Sequence, residues 1–571
     1  MDGRLTRALT VGAERVAAWA DLLDDINVFP IADGDTGCNL KISLAPLGCS
    51  NGTTAERCRQ LVSSAAGNSG NIAAAFLVGF LPAVERHDLA RAAAAGRQAA
   101  WQAVADPRPG TMLSVLDALD EAMMMWPGAP TKDAADAVID ALAKAVRATP
   151  SLLPELKAAG VVDAGALGMF IFLEGLLRRL SDDTAALEPV DRRFHGLLRV
   201  AGPVDGGDVG GYCVNTVLEP PVDIDFGSLP AGWADSVVAV PDGERMRVHL
   251  HTRDPHESRT TLEALAEVVD WRAESLKVEV RPSAAMADRR MIHVMTDAAG
   301  SISREEARSL GITLLDSYLL VDDRRIPETQ CDGQMLYGAM AAGRRVSTAQ
   351  ASVFQQHQSY ESALSRYDRV LYLAVGSAYT GNFAAASRWR ETSGRAERFA
   401  IVDSQAASGR LGLLARLVAR FARSGHPLEK VAAYARSVVD QCDELIFLDQ
   451  LRFLVAGGRL SKSRGFFGDL LGIKPIVSPR AGGAVKVGAV RSAADQVPFA
   501  LDYLEKRFSG DDRLTILLQF SDNQQRVRET IAPPIAGRFP RARIMVGRFS
   551  LTAGAHMGPG TWGLAFGPVN G

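Results

Sequence analysis

The spacing of apolar residues changes character near residue 190, and that change excludes one uniform fold for the chain. Before it, Val16, Trp19, Leu23 and Ile26 recur every three or four residues, as one face of a helix requires. Alanine-rich runs follow at Ala90 to Val104, Asp133 to Val146 and Ala166 to Leu180. Alanine favours helix and lets helices approach closely, so this region predicts an all-α bundle or helical barrel. Short glycine-bearing loops interrupt the helices and hold most of the polar residues of interest.

The stretch from Ser181 to Arg193 is charged and turn-prone and reads as a linker. After it, FHGLLRVAGPV, YCVNTVLEP, DSVVAVP and RMRVHLHT are short Val-rich runs that read as strands. A helix over Pro255 to Val269 and a strand at SLKVEV complete a small α+β middle domain. From MIHVMTD onward, strands are expected at Val370 to Val375, Phe399 to Val402, Leu514 to Phe520 and Ala542 to Phe549. Ser303 and Glu306 have the spacing of a capping box. This last region predicts an α/β fold on a largely parallel sheet, with functional loops after the strand ends. The expected domains are 1–190, 194–283 and 290–571, in keeping with a length of 571 residues.

Composition narrows the class. Hydrophobic residues make up 47% and the formal charge is -3, which gives no electrostatic reason to expect nucleic acid as a partner. The six cysteines show no C-x-x-C pairing, as suits a reducing compartment. The N-terminal segment meets charge before any long apolar run, and the apolar stretch near Ala73 to Val84 contains Gly and Pro. No signal peptide, no transmembrane segment and a cytoplasmic location are therefore expected.

The strongest chemical signal is INVFPIADGDTGCNL. Asp33 and Asp35 flank Gly34, with Asn27 before them and Asn39 after. Residues two apart do not share a helix face, but in a tight loop they converge, and carboxylate and amide oxygens suit Mg²⁺. The same residues also suit a plain turn, and spacing alone leaves both readings open. Gly67, Asn68, Ser69 and Gly70 precede an apolar helix; Gly110 with Thr111 and Asp163 with Gly165 form two further loops. Amides at helix N-termini suit phosphate, yet no Gly-Lys-Ser/Thr of a P-loop is present.

These segments resemble the ATP-binding domain of bacterial fatty acid kinase, itself related to the nucleotide-binding subunit of dihydroxyacetone kinase. The resemblance implies a helical barrel that holds ATP through paired Mg²⁺ ions. It implies Asp33 and Asp35 as metal aspartates with Asn27 as a third polar ligand. It further implies Asn39, Gly67, Asn68, Ser69, Gly70, Gly110 and Thr111 as nucleotide-facing, and Asp163 at the catalytic rim. Cys38 and Ala66 depart from the usual Thr and Arg.

In the middle region His249 and His251 alternate on one strand and so face the same way, with Cys213 elsewhere. One Cys and two His can bind zinc, though spacing alone favours coincidence. GYCVN and MRVHLHTRDP resemble the fatty acid kinase middle domain, which implies Zn²⁺ on Cys213, His249 and His251 in a structural role.

In the last region TDAAGS, VSTAQAS, AVGSAYTGNF and AHMGPGTWG offer hydroxyl and amide donors. His556 is expected in a loop that closes over the site. Turn chemistry explains any one of these segments; four together are harder to dismiss. With VDSQAASG, LRFLVAGGRLS and LLGIKPI, they resemble the DegV family of fatty-acid-binding proteins. That implies two α/β lobes around an acyl tunnel, with Thr348, Ser377, Thr380 and His556 at the carboxylate. Ala298, Ala349, Ala351 and Gly376 depart from the family segments, and Arg459 and Lys474 are motif residues with no assigned role.

Together the resemblances imply one chain that phosphorylates a bound fatty acid to an acyl phosphate. Its expected partners are a fatty acid ligand, a second copy in a homodimer and a downstream acyltransferase. The alternatives are a dihydroxyacetone-type kinase, or a non-catalytic nucleotide-sensing, lipid-binding regulator.

Overall fold

The computed structural model describes residues 3–49, 52–84, 88–126, 130–184, 187–200, 211–219, 224, 226, 229, 232–276, 292–456 and 473–568. The chain divides into two compact units, Met1–Asp288 and Arg289–Gly571. The family-like residues 457–472, Arg459 among them, lie outside the described residues.

The first half of unit 1 is mostly helical. Its helices are α1 (Gly3–Asp25), α2 (Thr36–Leu44), α3 (Thr54–Ser64), α4 (Gly67–Val84) and α5 (Leu89–Ala103). They continue as α6 (Met112–Met123), α7 (Lys132–Leu152), α8 (Pro154–Ala159), α9 (Ala164–Leu180) and α10 (Val190–Arg193). The expected face of α1 is buried, since Val16, Trp19 and Leu23 have no exposure and Ile26, just past the helix end, has 1%. Trp19, Phe76, Phe80, Phe170 and Phe172 are among the largest fully buried side chains. Each such side chain stabilises the fold by roughly 1.5–3 kcal/mol. Arg15 and Glu174 pair within this core with no exposure. The apolar stretch is longer than expected: α4 has 18 residues and is long and apolar enough, by length and composition, to cross a bilayer. It packs on α5, α2 and α3, and 67% of it is buried.

A four-stranded sheet follows, with β1 (Tyr212–Glu219), β2 (Asp235–Asp242), β3 (Arg245–Thr252) and β4 (Glu267–Ser275). Its order is β2-β3-β1-β4, antiparallel throughout. Helix α11 (Pro255–Glu263) is shorter than the expected helix, and β4 ends at Ser275, the first residue of the expected SLKVEV strand, whose residues 277–280 lie outside the described residues. Most of β4 is exposed or half-buried, so its side chains carry little of the apolar alternation that marks a strand. The stretch Phe194 to Val200 is not a strand. Phe194 instead ends α10 and packs edge-on against Phe170 at 5.0 Å. The segment joining α5 to α6 adds to the β2 edge through a Val104–Val238 bridge and an Ala105 N–H to Val237 carbonyl bond of 3.1 Å.

Unit 2 mixes helices with three sheets. The first contains β5 (Ile292–Asp297), β6 (Ile312–Leu315), β10 (Arg369–Ala374) and β11 (Phe399–Asp403), ordered β11-β10-β5-β6 and parallel throughout. The second is small: β7 (Ser317–Val321), β8 (Arg324–Pro327) and β9 (Val346–Gln350), antiparallel. The third contains β12 (Asp443–Phe447), β13 (Lys474–Arg480), β14 (Gly483–Val490), β15 (Leu514–Phe520), β16 (Arg543–Arg548) and β17 (Trp562–Pro568). It corrects the expectation of a largely parallel arrangement. Among the described residues only β15 and β16 run parallel there, and the two-residue turn between β13 and β14 permits nothing but an antiparallel hairpin. Ser303 caps its helix by accepting the Glu306 N–H at 3.1 Å, but the other half of the capping box is replaced: Glu306 binds the nearly buried Arg416 instead.

Candidate functional site

The Asp33–Gly34–Asp35 loop is anchored from below by a residue the sequence did not single out. Asp24, buried near the end of α1, accepts the Gly37 N–H at 2.8 Å and the Cys38 N–H at 3.1 Å. This fixes the first turn of α2 on α1 and leaves Asp35, at the N-cap, without a side-chain capping bond. Asn27 donates to Asp33 at 2.6 Å. Burial first, and then the neighbouring Asp35 carboxylate, push Asp33 up to about 8. Two carboxylates held this close repel when both are ionised, and a divalent cation relieves that cost. The donor set, two carboxylates and an amide, therefore fits Mg²⁺.

Asn39 lies beneath Gly67. A Cβ on Gly67 would collide with the Asn39 amide, and its φ of 60° also favours glycine. Four of the sequence-selected loops meet around one cavity of about 950 Å³, lined by Thr36, Asn68, Ser69, Thr111, Asp163 and Gly165. These residues start α2, α4, α6 and α9, so four helix N-termini border the same space. Asp33, Asp35, Asn27, Asn39, Gly67, Gly70 and Gly110 lie off its wall; the two aspartates sit on the loop between the lining residues Ile31 and Thr36. Asp163 caps α9 by accepting the Ala166 N–H at 2.7 Å, and burial pushes its carboxyl up to about 7. Thr111 caps α6 more loosely, at 3.4 Å. The Asn68 side-chain oxygen is buried with no hydrogen-bond partner.

The sheet and the residues flanking its strands add to the same lining, through Trp233 to Val238 and His251 to Arg253. There the β1–β3 register places Cys213 across from His251 and Asn215 across from His249. The three ligand atoms of Cys213, His249 and His251 lie within 4.8 Å of one another. Asn215 contacts His249 Nδ1 at 2.9 Å, while His249 Nε2 and His251 Nδ1 are buried without partners. Burial holds the two imidazoles down, at about 3 and about 4, so both stay neutral with lone pairs available. Burial also pushes the Cys213 thiol up to about 12, with the charge of Asp35 the next cause. Orphaned, neutral, buried imidazole nitrogens next to a thiol fit a zinc ion.

In unit 2, Thr348 on β9 and His556 are brought together, Oγ1 to Nε2 at 3.0 Å. His556 is not in a loop; it lies in the last turn of a helix, Leu551–Met557, which Gly558 ends at a φ of 83°. Ser377 is exposed, and its N–H donates to Asp403 at 3.2 Å. Thr380 accepts the Asn382 N–H at 3.3 Å, and the Gly381 N–H donates to the Gln350 side chain at 3.3 Å. These bonds tie the Ser377–Gly381 turn to β9 and β11. Asp297, absent from the sequence-selected set, organises the same strand ends. It accepts from Tyr372, the Val375 N–H and Asn382, and burial pushes it up to about 6. A serine does not fit at position 376, because a Cβ there would lie 2.8 Å from the Ala406 nitrogen.

Residues 30–178 match the DAK2 domain, and residues 291–569 match the DegV family of uncharacterised proteins. Curated relatives include an uncharacterized protein of Staphylococcus saprophyticus, 26% identical over 351 residues, covering 55% of this chain and 61% of that protein. Another, from Staphylococcus epidermidis, is 27% identical over 316 residues, covering 49% and 56%. The chain thus spans less than two thirds of these relatives. Among solved structures, a DegV family protein of Thermus thermophilus described as fatty acid binding has 22% identity and a TM-score of 0.45, over 49% of this chain and 100% of that one. The Streptococcus pneumoniae fatty acid kinase B3 protein, loaded with linoleic acid, has 17% identity and a TM-score of 0.42, with the same coverage. The chain joins a DAK2 region in unit 1 to a DegV region in unit 2.

Proposed function

We propose that unit 1 binds a nucleoside triphosphate with a divalent cation and that unit 2 binds an acyl chain, making this a nucleotide-responsive lipid-binding protein. The observation that carries the nucleotide half is the meeting of four helix N-termini on one cavity next to the Asp33–Asp35 pair. Such ends attract phosphate, and the paired carboxylates call for a metal. Asn27, Asp33 and Asp35 would hold Mg²⁺, which when bound offsets phosphate charge. Asn68, Ser69 and Thr111 would orient the phosphates, and Asp163 would fix the start of α9 at the rim. Cys213, His249 and His251 would hold Zn²⁺, which when bound cross-links β1 to β3. For the lipid half, the match to the DegV family is the support, with Thr348 and His556 the groups nearest to a head-group site.

The finer reading is phosphoryl transfer to the carboxylate of that acyl chain, giving an acyl phosphate. A carboxylate is already ionised at neutral pH, so positioning and metal charge suffice without a strong base. Titration with ATP and with fatty acids, each with and without Mg²⁺, tests the main proposal; absence of ATP binding refutes it. Hydroxylamine trapping in the same preparation separates the two readings. A chain-length-dependent hydroxamate establishes the kinase, whereas binding of both ligands without product establishes the regulator.

A further inference from the structure

Six charged side chains line the cavity of unit 1: Asp106, Arg108, Glu155, Asp163, Asp235 and Arg253. Four carboxylates against two guanidinium groups leave the wall formally negative. The helix ends offset this only in part. Asp24 occupies the first amides of α2 and Asp163 occupies those of α9, so two of the four positive ends already face a carboxylate. A polyphosphate entering this space needs formal cations. Arg108 is held by Asp106, at 2.9 and 3.1 Å. Arg253 has no carboxylate partner among the described residues, and its side chain is exposed.

The backbone on either side of Arg253 is firmly placed. Thr252 ends β3, and its hydroxyl meets the Ser258 hydroxyl at 2.7 Å and the Asp254 N–H at 3.1 Å. Asp254 caps α11 by accepting the His256 and Glu257 N–H groups at 2.9 and 3.1 Å. A long cationic side chain thus stands on a fixed base at the wall of the cavity that Asn68, Ser69 and Thr111 also line. A guanidinium matches phosphate oxygens in pairs, which an ammonium cannot do.

We propose that Arg253 is the cation that binds the phosphate chain of the nucleotide in unit 1. This rests on the nucleotide reading given above, and it assigns the sheet a direct part in ligand binding. Calorimetric titration of the full chain with ATP and with adenosine, in Mg²⁺, tests it on the wild type, Arg253→Ala and Arg253→Lys. The alanine variant should bind ATP roughly 10- to 100-fold more weakly, the range for losing charge-assisted hydrogen bonds. Its affinity for adenosine should not change, and lysine should restore part of the ATP affinity. An alanine variant that binds ATP as the wild type does, or that loses adenosine in equal proportion, overturns the assignment alone. A wild type that binds no ATP overturns the nucleotide reading and this assignment together.

Discussion

The candidate site of unit 1 and that of unit 2 treat their buried polar groups in opposite ways. In unit 1 the groups are left in conflict: Asp33 against Asp35, two imidazole nitrogens and an Asn68 oxygen buried without partners. In unit 2 the half-buried Thr348 and His556 bond each other, and the buried Asp297 accepts from three donors. Buried polar atoms without partners are costly, so a fold that keeps several in one place gains from a ligand that satisfies them. The difference teaches that unit 1 carries a polar cost which the proposed metal ions and nucleotide would relieve. A ligand of unit 2 would have to exchange bonds already made, so most of its affinity must come from apolar contact.

The sharpest way to break this contrast is to remove one of the conflicting charges. Asp33→Ala should lower Mg²⁺-dependent ATP affinity by about 100-fold or more while leaving acyl-chain binding unchanged, as read by titration of both ligands. Equal loss of both would show that the two sites are not independent. Next in size, His249→Ala and Cys213→Ser should each abolish zinc retention measured by elemental analysis. Stripping zinc from the wild type should lower its Tm by several degrees, as losing a cross-link between strands would.

For unit 2 the tests concern stability. Gly376→Ser should destabilise it by about 1–3 kcal/mol in urea melts, since its Cβ meets backbone that cannot move aside. An effect of similar size is a pH slope. Burial, with a smaller push from the nearby Asp316, raises Glu328 to about 7 from 4.5 against the bonds from Thr552, which lower it. A raised carboxyl favours the protonated folded state, so its contribution is complete below about pH 4.5 and is lost as pH rises through about 7. Glu328→Gln should flatten that slope, by about 1–3 kcal/mol between pH 5 and 8. An unchanged slope would move its origin to another buried carboxyl.

Much of the helical region was legible because its cues are local. The apolar spacing of α1 and the alanine runs of α5, α7 and α9 appear where they were expected. The polar loops could be picked out too, since glycine followed by Asn, Ser, Thr or Asp at a helix start has a backbone reason. What stayed hidden depends on contacts between distant residues. Asp24 stands beside Asp25 in what reads as a solvated helix end, and only the docking of α2 makes it an anchor. Strand β4 has few buried side chains, so pairing with β1 defines it more than its own pattern does. His556 was misplaced because the Gly and Pro after it signal a turn, and they do, but one residue later than the helix needs. The mixed third sheet follows from a hairpin that side-chain patterning alone does not orient.

The Val104–Val238 bridge also bears on how the protein behaves in company. Strand β2 lies at the margin of its sheet, where unpaired amides and carbonyls invite a stranger's strand to add on. The link from α5 to α6 already occupies part of that margin, with Val104 and Ala105 bonded to it. The chain thus supplies its own guard against edge-to-edge aggregation, drawn from a connector that would otherwise be only a loop.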